Sequence, residues 1–160
     1  MVRNGFTIIE LIVVIAIMAS LVAIGTLQFN TYSRKSSIES QTRAMLADLM
    51  TVRSEAMYEK RRRAVKLTAT SFAIYSSDVA TGTPTQLRTL ANGISSNDLT
   101  NPMIFDSRGV LTDTVDRTIC IEPVNNPGFS DSLVVATTRI QIGKRFSNFA
   151  GCDSAHVTIQ

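Results

Sequence analysis

Residues 5–27 of the chain, GFTIIELIVVIAIMASLVAIGTL, carry a single charged residue, Glu10. As an α-helix, the run from Phe6 to Leu27 would be about 33 Å long, enough to cross the hydrocarbon core of a bilayer. A cleaved secretory signal has a shorter apolar core that is followed by a small-x-small site. We therefore predict a transmembrane helix over residues 6–27.

The helix is predicted to continue beyond the membrane. Apolar residues recur at spacings of seven, four, three and four, which places them on one stripe of a helix: Ile38, Met45, Leu49, Val52 and Ala56. No proline interrupts residues 6–63. We expect an amphipathic half over residues 28–63 that packs this stripe against the rest of the chain.

From Ala64 the sequence pattern changes to short runs rich in β-branched residues. They are AVKLTA, FAIYS, MIFDS, RTICIE, SLVVATTRIQIG and HVTIQ, and they are separated by segments rich in Gly, Pro, Asn, Asp and Ser. A long helix followed by consecutive strands predicts an α+β fold, with a C-terminal antiparallel sheet domain over residues 64–160. No internal repeat suggests a further domain.

The charge is distributed unevenly along the chain. Residues 34–66 carry nine Lys/Arg against four acids, whereas residues 67–160 carry six against eight. The basic segment next to the apolar run suits a membrane surface or an acidic partner, or it is a solvated helix face. One basic residue, Arg3, precedes the apolar run and Arg34 and Lys35 follow it, which argues against an external C-terminus.

The sequence offers few groups for catalysis. There is one histidine, His156, and no nucleophile elbow, P-loop or paired-cysteine metal pattern. Asp106, Asp113 and Asp116 do not have the spacing of a calcium loop, so we interpret them as turn residues. We predict a protein that is not an enzyme, with no cofactor and no metal site.

Cys120 and Cys152 are the two cysteines of the chain. An even count in a domain outside the cytosol favours a disulfide, and this one would close a long loop near the C-terminus. Two unrelated buried thiols are the alternative, because the sequence does not give the separation of the two side chains.

The N-terminal segment GFTIIE, with a basic leader residue and a long apolar run, resembles the processing signal of type IV prepilins and type II secretion pseudopilins. The resemblance implies a leader over residues 1–5, cleavage after Gly5 by a prepilin peptidase and methylation of the new amino group of Phe6. It also implies an orientation, with the leader in the cytoplasm and the C-terminal domain in the periplasm.

The later segments RSEAMYEKRRRAV, FDSRG, RTICI and RIQIG resemble, in this order, the GspH/FimT family of minor pilins and pseudopilins. The resemblance implies a type IV pilin-like fold. The chain departs from the family where a Gly-Arg-x-Arg stretch often follows the last long strand, since it has Gly143-Lys144-Arg145-Phe146 here.

This resemblance gives Glu10 a role. A carboxylate within hydrocarbon costs about 2.5–3.5 kcal/mol, so such a residue normally has a partner. The partner implied by the family is the N-terminal amine of a neighbouring subunit, which would make Glu10 an assembly residue. The alternative is an acid close enough to the interface to reach water.

We expect a minor pilin subunit that lies in the bacterial inner membrane as a single-pass protein and then at or near the tip of a type IV pilus. Its partners would be other minor and major pilin subunits, the prepilin peptidase and membrane lipid. A minor pseudopilin of a type II secretion system is one alternative, and a DNA-binding minor pilin for natural transformation is another.

The DNA-binding alternative has a candidate site in the late basic residues Arg139, Lys144 and Arg145. The resemblance implies a DNA-contacting tail after RIQIG, and Phe146 and Phe149 are candidates for stacking on bases. The other interpretation is a solvated loop end with both phenylalanines in the core.

Overall fold

The computed structural model describes residues 7–160, in which one helix, α1 (Ile8–Glu59), precedes all the strands. Its 52 residues correspond to about 78 Å. The helix ends at Glu59 and is capped by Lys60, which has left-handed backbone angles (φ 55°, ψ 35°), and the Arg61 N–H donates to the Ala56 carbonyl across this turn. The helix thus ends four residues before the predicted boundary at 63.

The predicted stripe on α1 is confirmed as the face that packs on the sheets. Ile38, Met45, Leu49, Val52 and Ala56 are each 1% exposed or less. Residues of the first half of the helix are exposed, and by length and composition α1 could cross a membrane. One helix therefore has an apolar, unpacked first half and a second half with a buried stripe.

Nine strands follow the helix in the described part of the chain. They are β1 (Arg63–Leu67), β2 (Ser71–Tyr75), β3 (Gln86–Thr89), β4 (Ile94–Ser96), β5 (Met103–Phe105), β6 (Arg117–Ile121), β7 (Ser132–Val135), β8 (Ile140–Arg145) and β9 (Val157–Ile159). They form two antiparallel sheets, in the orders β3-β2-β1-β5 and β4-β6-β7-β8-β9. The predicted α+β fold is confirmed.

The strand prediction differs from the structure in two ways: one predicted run is two strands, and two short strands were not predicted. The run SLVVATTRIQIG is two strands, β7 and β8, because the chain turns at 136–139, where the Ala136 N–H donates to the Arg139 carbonyl. Strands β3 and β4 were not predicted, since both are short and each contains polar residues. Their pairing depends on neighbouring strands rather than on their own sequence.

Polar contacts fix the position of the helix on the sheets. The Gln41 side chain donates to the Asn92 carbonyl and accepts from the Asn92 N–H, both at 2.8 Å. Two nitrogens of Arg88 lie 2.7 and 3.0 Å from the two carboxylate oxygens of Asp48. These paired contacts set the register of α1 against β3 and the turn after it.

The body has two ends along the helix axis. At the end nearer the membrane half of α1, a Cβ on Gly128 would lie 2.9 Å from Ile38. At the other end, a Cβ on Gly109 would lie 2.8 Å from Met57. We call these the proximal end and the distal end of the body.

Candidate functional site

Glu10 lies in the first turn of α1 and forms a capping box with Thr7. The Thr7 N–H donates to Glu10 Oε2 at 3.4 Å, and the Glu10 N–H donates to Thr7 Oγ1 at 3.3 Å. Within the described residues, nothing donates to the other carboxylate oxygen, Oε1. The capping box was missed, although the Thr-x-x-Glu spacing is its sequence signature. Gly5 and Phe6, the predicted processing residues, lie outside the described residues.

The chemistry of this turn suits a cation from another molecule. The Glu10 side chain is exposed, it is the one acid of the apolar half and it keeps one oxygen for a further donor. A carboxylate buried in hydrocarbon gains most from a charged donor, because the bond offsets the cost of removing it from water. The predicted assembly residue is therefore accessible to a partner.

A row of small residues runs along α1, and its middle part lies beside the sheet, where the Asn92 side-chain amide donates to the Ser37 hydroxyl at 3.1 Å. The residues are spaced by alternating steps of three and four: Ala16, Ala19, Ala23, Thr26, Asn30, Ser33, Ser37, Ser40, Ala44, Ala47, Thr51 and Ser54. All are exposed except Ala44, which is half-buried. Hydroxyls in the row bond back to helix carbonyls, as Thr51 does to Ala47 at 2.8 Å. We call these residues the small-residue row.

The three residues of the predicted DNA site do not form one surface. The Lys144 ammonium lies 2.6 Å from Asp131 Oδ2. Arg145 is 1% exposed, and its guanidinium lies 3.0 Å from Glu122 Oε1. Arg139 is exposed in the turn at the opposite end of β8, about 20 Å away at 3.3 Å per residue. Two of the three charges are thus used inside the protein.

The buried carboxylate of Asp131 is the centre of the network that holds Lys144. It accepts from the Ser132 hydroxyl and the Arg145 N–H at 2.8 Å each and from the Asn126 amide at 2.9 Å. Asp131 is fully buried, and every one of these contacts offsets its desolvation. The network fixes the loop over residues 122–131 at the proximal end of the body.

Glu122 belongs to the same region. Burial acts to raise the pKa of its carboxyl, but hydrogen bonds from Arg145 and Ser95 outweigh burial and hold that pKa below its ordinary value. The carboxylate is therefore ionised and paired at neutral pH. Its role is structural, since it neutralises a buried guanidinium.

The two predicted stacking residues differ in their surroundings. The Phe149 ring stacks on the His156 ring at a centroid distance of 3.6 Å. Phe146 is 42% exposed and meets the same histidine edge-on. The His156 Nδ1 atom is hydrogen-bonded to Asp153 Oδ1, and this hydrogen bond is the main cause that lowers the pKa of the Asp153 carboxyl. These groups form a local cluster before β9.

The predicted disulfide is confirmed. Cys120 of β6 and Cys152, which precedes β9, are bonded, with their Cα atoms 5.9 Å apart. Both residues are buried. The bond ties the segment that leads to the last strand to the middle of the second sheet.

Two of the three aspartates considered as calcium ligands, Asp106 and Asp113, serve a turn and an ion pair. Asp106 accepts from the N–H groups of Arg108 and Val110, and the Val110 bond is the main cause that lowers its pKa. Asp113 is ion-paired with Arg117, which is buried. Among residues 7–160, no group of three or more His, Cys, Asp or Glu side chains is placed to hold a metal ion.

Comparisons with known proteins agree with the fold and the N-terminal pattern. A family model described as the prokaryotic N-terminal methylation motif matches residues 1–26. A crystal structure of the type IV minor pilin FimU of Pseudomonas aeruginosa strain PAO1 is similar over 74% of this chain and 96% of that chain, with a TM-score of 0.50 and 19% identity. A second crystal form of FimU matches over 77% and 94%, with a TM-score of 0.49 and 17% identity. Curated protein sequences give no match.

The chain thus combines an N-terminal methylation motif with the helix-on-sheet fold of a type IV minor pilin, and its one long helix could cross a membrane by length and composition. The motif implies processing of the N-terminus by a prepilin peptidase.

Proposed function

We propose that this chain is a minor pilin that is cleaved after Gly5, methylated on Phe6 and built into a type IV pilus at or near its tip. Before assembly it lies in the bacterial inner membrane, with residues 6–27 in the bilayer, the amphipathic half 28–63 outside it and the β-rich body, residues 64–160, in the periplasm. The N-terminal methylation motif is the observation that carries the proposal.

Assembly would use two features of α1. The Oε1 atom of Glu10, which accepts no hydrogen bond from residues 7–160, would bind the N-terminal amine of a neighbouring subunit. The small-residue row lets a second helix approach closely, because small side chains bring backbones together where the hydrophobic effect gives no drive. This role for the row depends on the assignment by the N-terminal motif. The row then indicates which residues of the helix contact a neighbouring subunit.

The test follows processing and assembly in cells with an active prepilin peptidase. Mass spectrometry should find a chain that starts at a methylated Phe6. Two variants then separate charge from capping, since Glu10→Gln keeps a hydrogen-bond acceptor for the Thr7 N–H and loses the charge, whereas Glu10→Ala loses both. We expect both variants to enter the membrane and both to be depleted in sheared filaments.

Recovery of the native protein with Met1 to Gly5 intact would contradict the proposal. Normal incorporation of the Glu10→Gln variant would show that the charge of Glu10 does not drive assembly. A pseudopilin of a type II secretion system has the same motif and fold, so crosslinking to pilus subunits or to secretion subunits in the same cells separates the two functions.

A further inference from the structure

Three polar side chains that the proposed function does not use meet at the proximal end of the body. The Lys144 Nζ atom lies 3.0 Å from Asn126 Oδ1 and 2.6 Å from Asp131 Oδ2. The Asn126 amide nitrogen donates to the same Asp131 oxygen at 2.9 Å. An amine, a carboxamide and a carboxylate are therefore in mutual contact, although they come from β8 and from two positions of the loop over residues 122–131.

The acid and the amide of this cluster are enclosed by the protein. Asp131 is fully buried and Asn126 is 8% exposed, whereas the Lys144 side chain is partly exposed. Gly128 brings the backbone close to the amide, since a Cβ there would lie 3.1 Å from Asn126 Oδ1 and 2.9 Å from Ile38. The three groups are thus held in fixed positions with little access for water.

The Asn126 carboxamide has the contacts that attack by an amine on an amide requires. The Lys144 nitrogen lies beside the carbonyl as the nucleophile. The Gly128 N–H donates to Asn126 Oδ1 at 3.1 Å, and negative charge develops on this oxygen when the carbonyl carbon is attacked. The Asp131 carboxylate contacts both nitrogens, so it is placed to take a proton from one and to give it to the other.

The residue that follows Asn126 removes a competing reaction. An asparagine side chain in a loop is ordinarily attacked by the backbone nitrogen of the next residue. That residue is Pro127, which has no N–H. The Asn126 carboxamide is therefore protected from its own backbone and remains available to the amine of Lys144.

We propose that Lys144 and Asn126 form an intramolecular isopeptide bond, with Asp131 as the catalytic residue. An ammonium has no lone pair, so Lys144 first gives a proton to Asp131. The neutral Nζ atom then attacks Asn126 Cγ, a new Nζ–Cγ bond forms, and the carbonyl electron pair moves to Oδ1.

The second half of the reaction releases the amide nitrogen of Asn126. Asp131 gives its proton to Nδ2, the carbonyl re-forms and the Cγ–Nδ2 bond breaks. The Nζ atom keeps one hydrogen, and its remaining extra proton leaves with the ammonia as ammonium. No oxidant, reductant or other reactant is consumed.

The bond joins the loop over residues 122–131 covalently to β8. It removes the positive charge of Lys144 and leaves the Asp131 carboxylate with its contacts to the Ser132 hydroxyl and the Arg145 N–H. The reaction needs only the folded body, so it does not depend on the proposed assembly into a pilus.

The test is mass spectrometry of the full chain, purified in non-ionic detergent. The parent should be lighter by one ammonia, about 17 Da, than the mass calculated for its observed N-terminus and its disulfide. Lys144→Arg keeps a positive charge and hydrogen-bond donors near Asp131 but cannot form this amide. Lys35→Arg is the matched control, because it makes the same substitution at a lysine that is 46% exposed on the helix.

We expect the loss of ammonia in the parent and in Lys35→Arg, and the full calculated mass in Lys144→Arg. Trypsin does not cut after an acylated lysine, so digestion of the reduced parent should give residues 118–139 joined to residues 140–145 in one branched peptide. Asp131→Ala keeps both groups that are joined and should also have its full mass.

A parent at its full mass, with the two peptides separate, would overturn the proposal. A loss of ammonia that persists in Lys144→Arg would also overturn it, because the ammonia would then come from elsewhere in the chain. A loss of water with Lys144 linked to Asp131 would contradict the choice of Asn126. A loss of ammonia in Asp131→Ala would show that Asp131 is not the catalytic residue.

Discussion

At the scale of single residues, burial decides which charges are available. Arg145 is a charged residue in a basic run, yet its guanidinium is 1% exposed and donates to Glu122 and to the Ile121 carbonyl. Its Nε atom has no partner among the described residues. A buried charge is costly when its partner is removed, so Arg145 is a structural residue first.

Gly143 is the residue for which we predict a specific effect on one strand. A Cβ at this position would lie 2.3 Å from Val157 Cγ1 and 2.8 Å from the Thr158 carbonyl oxygen, so Gly143→Ala should push β9 away from β8. We expect a loss of about 1–3 kcal/mol in the free energy of unfolding, the usual cost of overpacking. Urea unfolding of the full chain in micelles measures it.

Gly93→Ala is the matched control for this change, because a Cβ there would meet only the Ala69 carbonyl at 3.5 Å, an ordinary contact. Hydrogen exchange of residues 157–160 should increase in the Gly143 variant and stay unchanged in the control. A Gly143→Ala protein as stable as the parent would show that β9 adjusts without cost.

At the scale of elements, α1 carries two patterns of residues. The apolar stripe packs on both sheets, and the small-residue row, most of which is exposed, runs over both halves of the helix. Steps of three and four average 3.5 residues, the period at which one helix follows another in a left-handed supercoil. The exposed parts of the row are thus suited to contact with another helix.

Ala47 is the position at which the row is tested. It is exposed, so Ala47→Leu should leave folding nearly unchanged but hold a neighbouring helix away. We expect several-fold less of this variant in sheared pili at equal membrane levels, measured by quantitative immunoblotting. Ala47→Ser keeps the side chain small and should assemble normally. Equal recovery of the two variants would exclude this stretch of the row from the helix contact.

The disulfide ties the segment before β9 to β6. It closes a loop of 32 residues between Cys120 and Cys152, so it restricts the unfolded chain. Replacement of both cysteines by Ser should lower the free energy of unfolding by about 2–4 kcal/mol. Chemical denaturation of both proteins measures the difference, and peptide mapping of the parent without reductant checks the bond. An unchanged midpoint would contradict the prediction.

At the scale of the whole molecule, the two ends of the body differ in how their charges are used. The proximal end holds ion pairs that fix the loop over residues 122–131, whereas the distal end exposes cations from the helix end, one loop and one turn. The helix axis therefore connects Glu10, which we propose to act in assembly, with exposed cations at the distal end of the body.

The loss of stability of the body at low pH should depend on the carboxylates whose pKa is lowered in the folded protein. Hydrogen bonds from Asn101, first from its N–H and then from its side chain, lower the pKa of Asp98 from 3.8 to about 2. As the pH falls, Asp98 is protonated in the unfolded chain before it is protonated in the folded protein. Its contribution to the free energy of unfolding is therefore complete above pH 3.8 and is lost as the pH falls through about 2. We expect the free energy of unfolding to fall over this range.

The Asp98→Asn variant isolates this contribution. It should be less stable than the parent at pH 7, and its stability should change less between pH 4 and pH 2. Urea titrations of both proteins at fixed ionic strength measure the two slopes. Identical slopes would show that Asp98 does not set the acid sensitivity.

The sequence by itself determined the features that depend on local pattern. The apolar run, the stripe from Ile38 to Ala56, the α+β order and the pilin motif follow from periodicity and short spacing, which the chain carries without its fold. The cysteine pair was predicted because there was only one possible partner. Strands β3 and β4 were missed because their own residues hold little signal.

Only the tertiary structure decided which of the charges is free. Lys144, Arg145 and Arg139 are close in sequence, but β8 runs along the body and puts Arg139 at the opposite end from the other two. The buried Asp131 pairs with Lys144, and the partly exposed Glu122 pairs with Arg145. The same fold brings Arg139 to the end where Lys60 and Arg61 lie, although about 80 residues separate them in the chain. Burial and ion pairing arise between distant segments, and for that reason no local pattern could predict them.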